Sequence, residues 1–145
     1  MKKRMKQMAY STALSQATAI LIYVHGLVAD GCSDYLSTRL ISEQLNIPAP
    51  TTVKVLRSLA DAGLIRTKEG AKGGILPAKP PEHTTLLDVF DAVESGKALF
   101  KVHTDVALSG EATDTVKRKL TESLEQAETA MRDSLGKVKL NELLG

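Results

Sequence analysis

Apolar residues recur at spacings of three and four from Tyr10 to Ala29, through Ala13, Ala17, Ile20, Leu21, Val24 and Leu27. That period predicts a helix with one buried face. Ser11 or Thr12 suits its N-cap, and the turn-forming run Asp30-Gly31-Cys32-Ser33-Asp34 stops it. A second helix is predicted over Leu36 to Leu45, with Ser37 as N-cap and Leu40, Ile41 and Leu45 facing inward; Asn46-Ile47-Pro48 breaks it. Pro50 fits the first turn of a third helix, where a missing N–H costs nothing, and Gly63 fits the position just past its end near Ala62. Its inner stripe reads Val53, Leu56, Leu59 and Ala60, which leaves Thr51, Thr52, Lys54, Arg57 and Ser58 on the outer side. Leu64–Lys68 and Gly74–Leu76 then read as two short strands around the glycine-rich tip Glu69–Gly73.

Pro77, Pro80 and Pro81 close this half. Thr85 suits the cap of a fourth helix, Leu86 to Glu94, ended by Gly96, and residues 97–110 read as irregular. From Glu111 to Leu135 there is neither Pro nor Gly, and Val116, Leu120, Leu124, Ala127, Met131 and Leu135 follow one another at three or four. So narrow an apolar stripe on an otherwise charged helix is the pattern of a helix packed along one partner seam. Leu140, Leu143 and Leu144 form a small closing element. The expected division is a DNA-binding unit over 1–81 and a helical dimerisation region over 82–145.

Three helices followed by a two-stranded hairpin is the plan of a winged helix-turn-helix. The predicted fold class is therefore mainly α with a small β-hairpin wing, extended by a long C-terminal dimerisation helix. The third helix offers small polar and basic side chains outward, which lets its backbone lie deep in a major groove. The wing supplies Arg66, Lys68 and Lys72 for phosphates. Candidate DNA contacts are Ser37, Thr38, Thr51, Thr52, Lys54, Arg57, Ser58, Lys68 and Lys72; candidate dimer contacts are Val116, Leu120, Leu124, Ala127 and Met131.

The charge distribution agrees. Residues 1–81 hold eleven Lys and Arg against five Asp and Glu, whereas residues 82–145 hold eight against twelve. A basic first half suits a polyanion, and an acidic second half suits solvent or protein. With 3% aromatic residues and no Trp, a stacking platform for single-stranded nucleic acid is not expected. The longest apolar run, Ala17 to Ala29, is too short and too polar to span a bilayer, and the basic start Met1–Lys6 is not followed by a uniform apolar stretch. A cytoplasmic location is the expectation.

The runs Ile41-Ser42-Glu43-Gln44-Leu45-Asn46-Ile47, Val55 to Ile65 and Gly70-Ala71-Lys72-Gly73-Gly74 resemble the Rrf2 family of bacterial transcription regulators. Further on, Leu86 to Val93 and Leu99-Phe100-Lys101-Val102-His103 are similar to its YwnA-type branch, and Leu140-Asn141-Glu142-Leu143 to its usual ending. The resemblance implies a homodimer with the long helix at the interface and two winged units on a palindromic operator in double-stranded DNA, most simply a repressor that occludes a promoter. Two departures stand out. Cluster-binding members carry three closely spaced cysteines before the long helix, and residues 96–112 contain none, so no iron–sulfur cofactor is expected. Family wings usually open with Arg-Gly, and here the residue before Gly70 is Glu69. Glu69 keeps a second reading open, a winged-helix protein-interaction module that dimerises without specific DNA binding.

Other chemistry is sparse. Cys32 is the single cysteine, which excludes an internal disulfide and makes it the candidate redox sensor for a thiol oxidant. His25 reads as a packed or surface histidine and His83 as exposed. His103, beside Phe100, reads as structural, with a small-molecule effector pocket as the alternative. No Ser/His/Asp set, metal spacing or phosphate loop assembles, so an enzyme is not expected.

Overall fold

A computed structural model describes residues 12–94 and 98–145. The elements are α1 (Ala13–Ala29), α2 (Thr38–Leu45), α3 (Ala49–Asp61), β1 (Ile65–Lys68), β2 (Gly74–Pro77), a short 3-10 turn (Pro81–His83), α4 (Leu86–Val93), α5 (Glu111–Gly136) and α6 (Leu140–Leu143). The expected helix start at Tyr10, the Ser11 cap, the basic N-terminal run and the Gly96 stop lie outside the described residues.

Local chemistry explains most boundaries. Ser37 is extended and its Oγ accepts from the Leu40 N–H at 3.1 Å, which starts α2. Asn46, with φ of 53°, ends it in the left-handed conformation that Asn tolerates. Pro50 sits in the first turn of α3. At the other end Gly63 has φ of 75°, its N–H donates to Ala60 O, and the Leu64 N–H donates to Leu59 O. This is a Schellman stop, closed by burial of Leu59 and Leu64. A reciprocal capping box opens α4: Thr85 Oγ1 accepts from the Asp88 N–H, and Asp88 Oδ2 accepts from the Thr85 N–H.

Three local expectations are corrected. Thr12 stands at the start of α1, but its side chain makes no cap; Ser15 Oγ instead donates to Thr12 O. The second helix begins at Thr38, two residues late, because Leu36 is drawn into strand pairing. The inner stripe of α3 is Thr52, Val55, Leu56 and Leu59, and Val53 is 45% exposed.

β1 and β2 pair antiparallel, with Arg66 opposite Leu76 and Thr67 opposite Ile75. Leu36 bridges to β2 as well: its N–H donates to Ile75 O at 2.9 Å and its carbonyl accepts from the Ile75 N–H at 2.8 Å. Gly74, at φ of 146°, lies so close beneath that a Cβ there would run into the Leu36 carbonyl. Only glycine fits this approach.

One core joins these parts. Ala17, Ile20, Leu21 and Val24 of α1 pack with Ile41, Leu56, Leu59, Ile65 and Ile75. Val89 of α4 and Leu140 of α6 belong to the same cluster, so the apolar interior continues past residue 81. Backbone hydrogen bonds from Leu86 N to Val138 O and from Leu140 N to Thr84 O clamp the chain end beside α4. The long helix α5 buries none of its residues completely. Arg132 forks onto both carboxylate oxygens of Asp91 at 2.8 and 3.0 Å, and Glu128 accepts from the Leu99 N–H.

His25, on α1, is 6% exposed, and desolvation lowers its pKa from the ordinary 6.5, with nearby Glu82 pulling weakly upward. The unfolded chain therefore binds that proton more readily, and stability should fall as the pH drops through 6.5. Denaturant titrations on either side of that pH should show the loss, and His25→Gln should flatten it. An equal loss in the variant would assign the acid sensitivity to other groups.

Candidate nucleic-acid interface

The outer side of α3 and the wing enclose an open groove of about 570 Å³. The start of α2 contributes Ser37 and Thr38, α3 contributes Val53 and Arg57, and β1 contributes Thr67 and Lys68. The glycines of the tip keep the far wall low, and Asp61 closes the end of α3. Lys68 Nζ lies 5.6 Å from the centre of the Tyr35 ring, a cation–π contact that steadies the ammonium at the groove edge.

The predicted contacts separate into groups. Ser37, Thr38, Arg57 and Lys68 share the groove wall. Lys54 and Lys72 are exposed but stand outside it, and Thr51 and Ser58 are half-buried. Thr52 is a correction. It is 0% exposed, and its Oγ1 donates toward Ile47 O at 3.3 Å and Pro48 O at 3.2 Å. A hydroxyl locked under the helix start cannot reach a base. The outward apolar group is Val53, which the three-and-four pattern misassigned because it also lies three residues before Leu56. The spacing 52, 55, 56, 59 fits as well and needs only that a threonine be buried on its own backbone bonds. Val53 gives the groove a small apolar contact of the kind that meets a thymine methyl. Tyr35 and Thr67 were also missed, and no sequence period marks them.

Arg66 does not line this groove. Arg66 and its partner Leu76 border a second hollow, on the other side of the wing root, together with His25 and Cys32. Cys32 is partly buried, and its Sγ lies 3.8 Å from Asp34 O. The effector pocket expected beside Phe100 and His103 is corrected in part. Phe100, Val102, Leu124 and Glu128 line a hollow against α5, but His103 is exposed and not on its wall.

Residues 10–145 match the Rrf2 family, described as iron-dependent transcriptional regulators. The chain belongs to the Rrf2 family. It is 30% identical over 94 residues to YwgB of Bacillus subtilis, named as an HTH-type transcriptional regulator; the match covers 65% of this chain and 58% of YwgB, less than two thirds of that relative's length. It is 22% identical over 131 residues to YwnA of the same organism, named likewise, covering 90% of this chain and 96% of YwnA. CymR of B. subtilis, a global cysteine regulator, shares the fold at a TM-score of 0.65 and 21% identity, over 94% of this chain and 95% of CymR. A transcriptional regulator from Lactobacillus plantarum superposes at 0.71 with 14% identity, over 91% and 87%. The family and these named relatives are regulators of transcription, and the two solved structures share the fold.

The family description names iron. Its single cysteine, Cys32, lies in the loop between α1 and α2, far along the chain from residues 98–110 before α5. Among the described residues no three His, Cys, Asp or Glu side chains stand together as a metal site would need. The donor set does not fit a cysteine-held cluster. No described helix is long and apolar enough to cross a membrane.

The two threonines at the start of α3 should separate by substitution. Thr52→Val removes one donor from the Ile47 and Pro48 carbonyls, which keep Ser42 Oγ and the Thr52 N–H, and should cost about 0.5–1.5 kcal/mol of stability. Thr51→Ala, one residue away and half-exposed, should leave the denaturation midpoint nearly unchanged. Equal effects on the midpoint would contradict the burial of Thr52.

Proposed function

We propose that this Rrf2 protein is a dimeric, sequence-specific DNA-binding regulator of the cytoplasm, a repressor that works without an iron–sulfur cluster. The observation that carries this reading is the groove that brings Ser37, Thr38, Arg57 and Lys68 together beside an outward Val53. In it α3 lies in the major groove, with Arg57 and Val53 meeting base edges and Thr51 and Lys54 near the flanking strands. Lys68 and Lys72 hold the phosphate backbone alongside, where they set position rather than sequence.

Dimerisation is supported by the stripe on α5. Val116 is 67% and Leu120 46% exposed in the single chain, and Leu124, Ala127 and Met131 continue the same line. Apolar groups in register on a charged helix gain by pairing with a second copy. A two-fold dimer then meets a palindromic operator whose half-sites are spaced by whole turns of about 10 bp. The second reading, a protein-interaction module, draws on two carboxylates: Asp61 on the groove wall and Glu69 at the exposed tip oppose phosphate.

Gel-shift on the DNA upstream of its own gene separates the two readings. Specific retardation is expected, and Arg57→Ala should weaken it by about 1–3 kcal/mol at fixed salt. Retardation that random DNA competes away equally well would favour the interaction module. Leu120→Asp should give a monomer or an unfolded chain in sedimentation, since an unpaired charge buried at a seam costs several kcal/mol. A folded wild-type monomer at working concentration would refute the dimer.

A further inference from the structure

The hollow behind the wing root has a volume of about 440 Å³ and mainly apolar walls, formed by the end of α1, the loop after it, the root of the wing and the following proline run. Three features in it are unused by the DNA-binding reading. Arg66 and Lys79 border it, both exposed and neither in an ion pair among the described residues. His25 borders it too, with only 6% of its surface exposed and no hydrogen-bond partner among the described residues. No deeply buried side-chain nitrogen or oxygen among the described residues lacks a partner, so the His25 ring nitrogens are not sealed from solvent.

We propose that this hollow binds a small carboxylate-bearing molecule, with the carboxylate held by Arg66 and Lys79 and the apolar body on Val28 and Leu76 beside the His25 ring. Two cations on long stems match one carboxylate, and a mostly apolar lining matches a compact hydrocarbon body better than a multiply charged phosphate ester. The occupant touches both α1 and the paired strand residues Arg66 and Leu76, so it braces the wing root against the first helix from the side opposite the DNA groove.

Isovalerate is a suitable probe, and the full-length protein a suitable sample. The chain has three histidines, so the imidazole C–H signals in an NMR titration are few. The His25 signal should shift and saturate while those of His83 and His103 stay in place. Bound isovalerate should also slow alkylation of Cys32, the single thiol, by iodoacetamide. Arg66→Gln combined with Lys79→Gln should weaken the probe by about tenfold or more; both positions are exposed, so the fold should survive. Isoamyl alcohol, with the same body and no charge, should bind far more weakly. Absence of saturation, an unchanged affinity in the double variant, or equal binding of the alcohol would each overturn the proposal. The readout needs no DNA, so its failure leaves the DNA-binding reading untouched.

Discussion

The reading surface depends on the pairing of Leu36 with Ile75. A two-stranded hairpin on its own is marginal in water. Here two backbone hydrogen bonds tie β2 to the residue that immediately precedes the Ser37 cap, and both partner side chains are in the core. Gly74 makes the approach possible by having no Cβ to meet the Leu36 carbonyl. One residue pair therefore fixes where the wing stands and where α2 begins. Since α2 and α3 are joined only by Asn46-Ile47-Pro48, the position of α3 relative to the wing follows from the same contact. The groove width is a property of the folded chain, set before any ligand arrives.

The architecture was legible because its signals are local. Ser37, Thr85, Gly63 and Pro50 each act through bonds or torsions within a few residues, and each works in the structure as its chemistry predicts. The helix period alone placed α1, α4 and α5. What escaped was set across the chain. Leu36 has the pattern of a helix residue and lies in a bridge because Ile75, nearly forty positions on, supplies the partner. Thr52 looks like a surface threonine until its hydroxyl is seen to be spent on Ile47 and Pro48. Arg66 and Lys68 look equivalent in sequence, yet Lys68 borders the α3 groove while Arg66 borders the hollow behind the wing root. Val89 and Leu140 share the core of the first three helices across the prolines at 77, 80 and 81.

The two ends of the fold are built differently. The N-terminal part is held by a continuous apolar interior. The long helix is held to it by the Arg132–Asp91 fork, by Glu128 on the Leu99 amide and by contacts with α4. An exposed ion pair contributes little by itself, so α5 relies on its packing near Leu87 and on what covers its apolar line. Its charged remainder carries six of the second half's twelve carboxylates, and most of them are exposed helix surface.

The split within α3 has a consequence for how such a regulator can diversify. Thr52, Val55, Leu56 and Leu59 hold the helix and tolerate little change. Thr51, Val53, Lys54 and Arg57 face outward and support nothing in the interior. On the proposed reading, drift at the second set would alter which operator is preferred while the scaffold stays intact, so paralogues would part ways in their targets by a few substitutions. Position 52 is closed to that route, although it sits between two that are open.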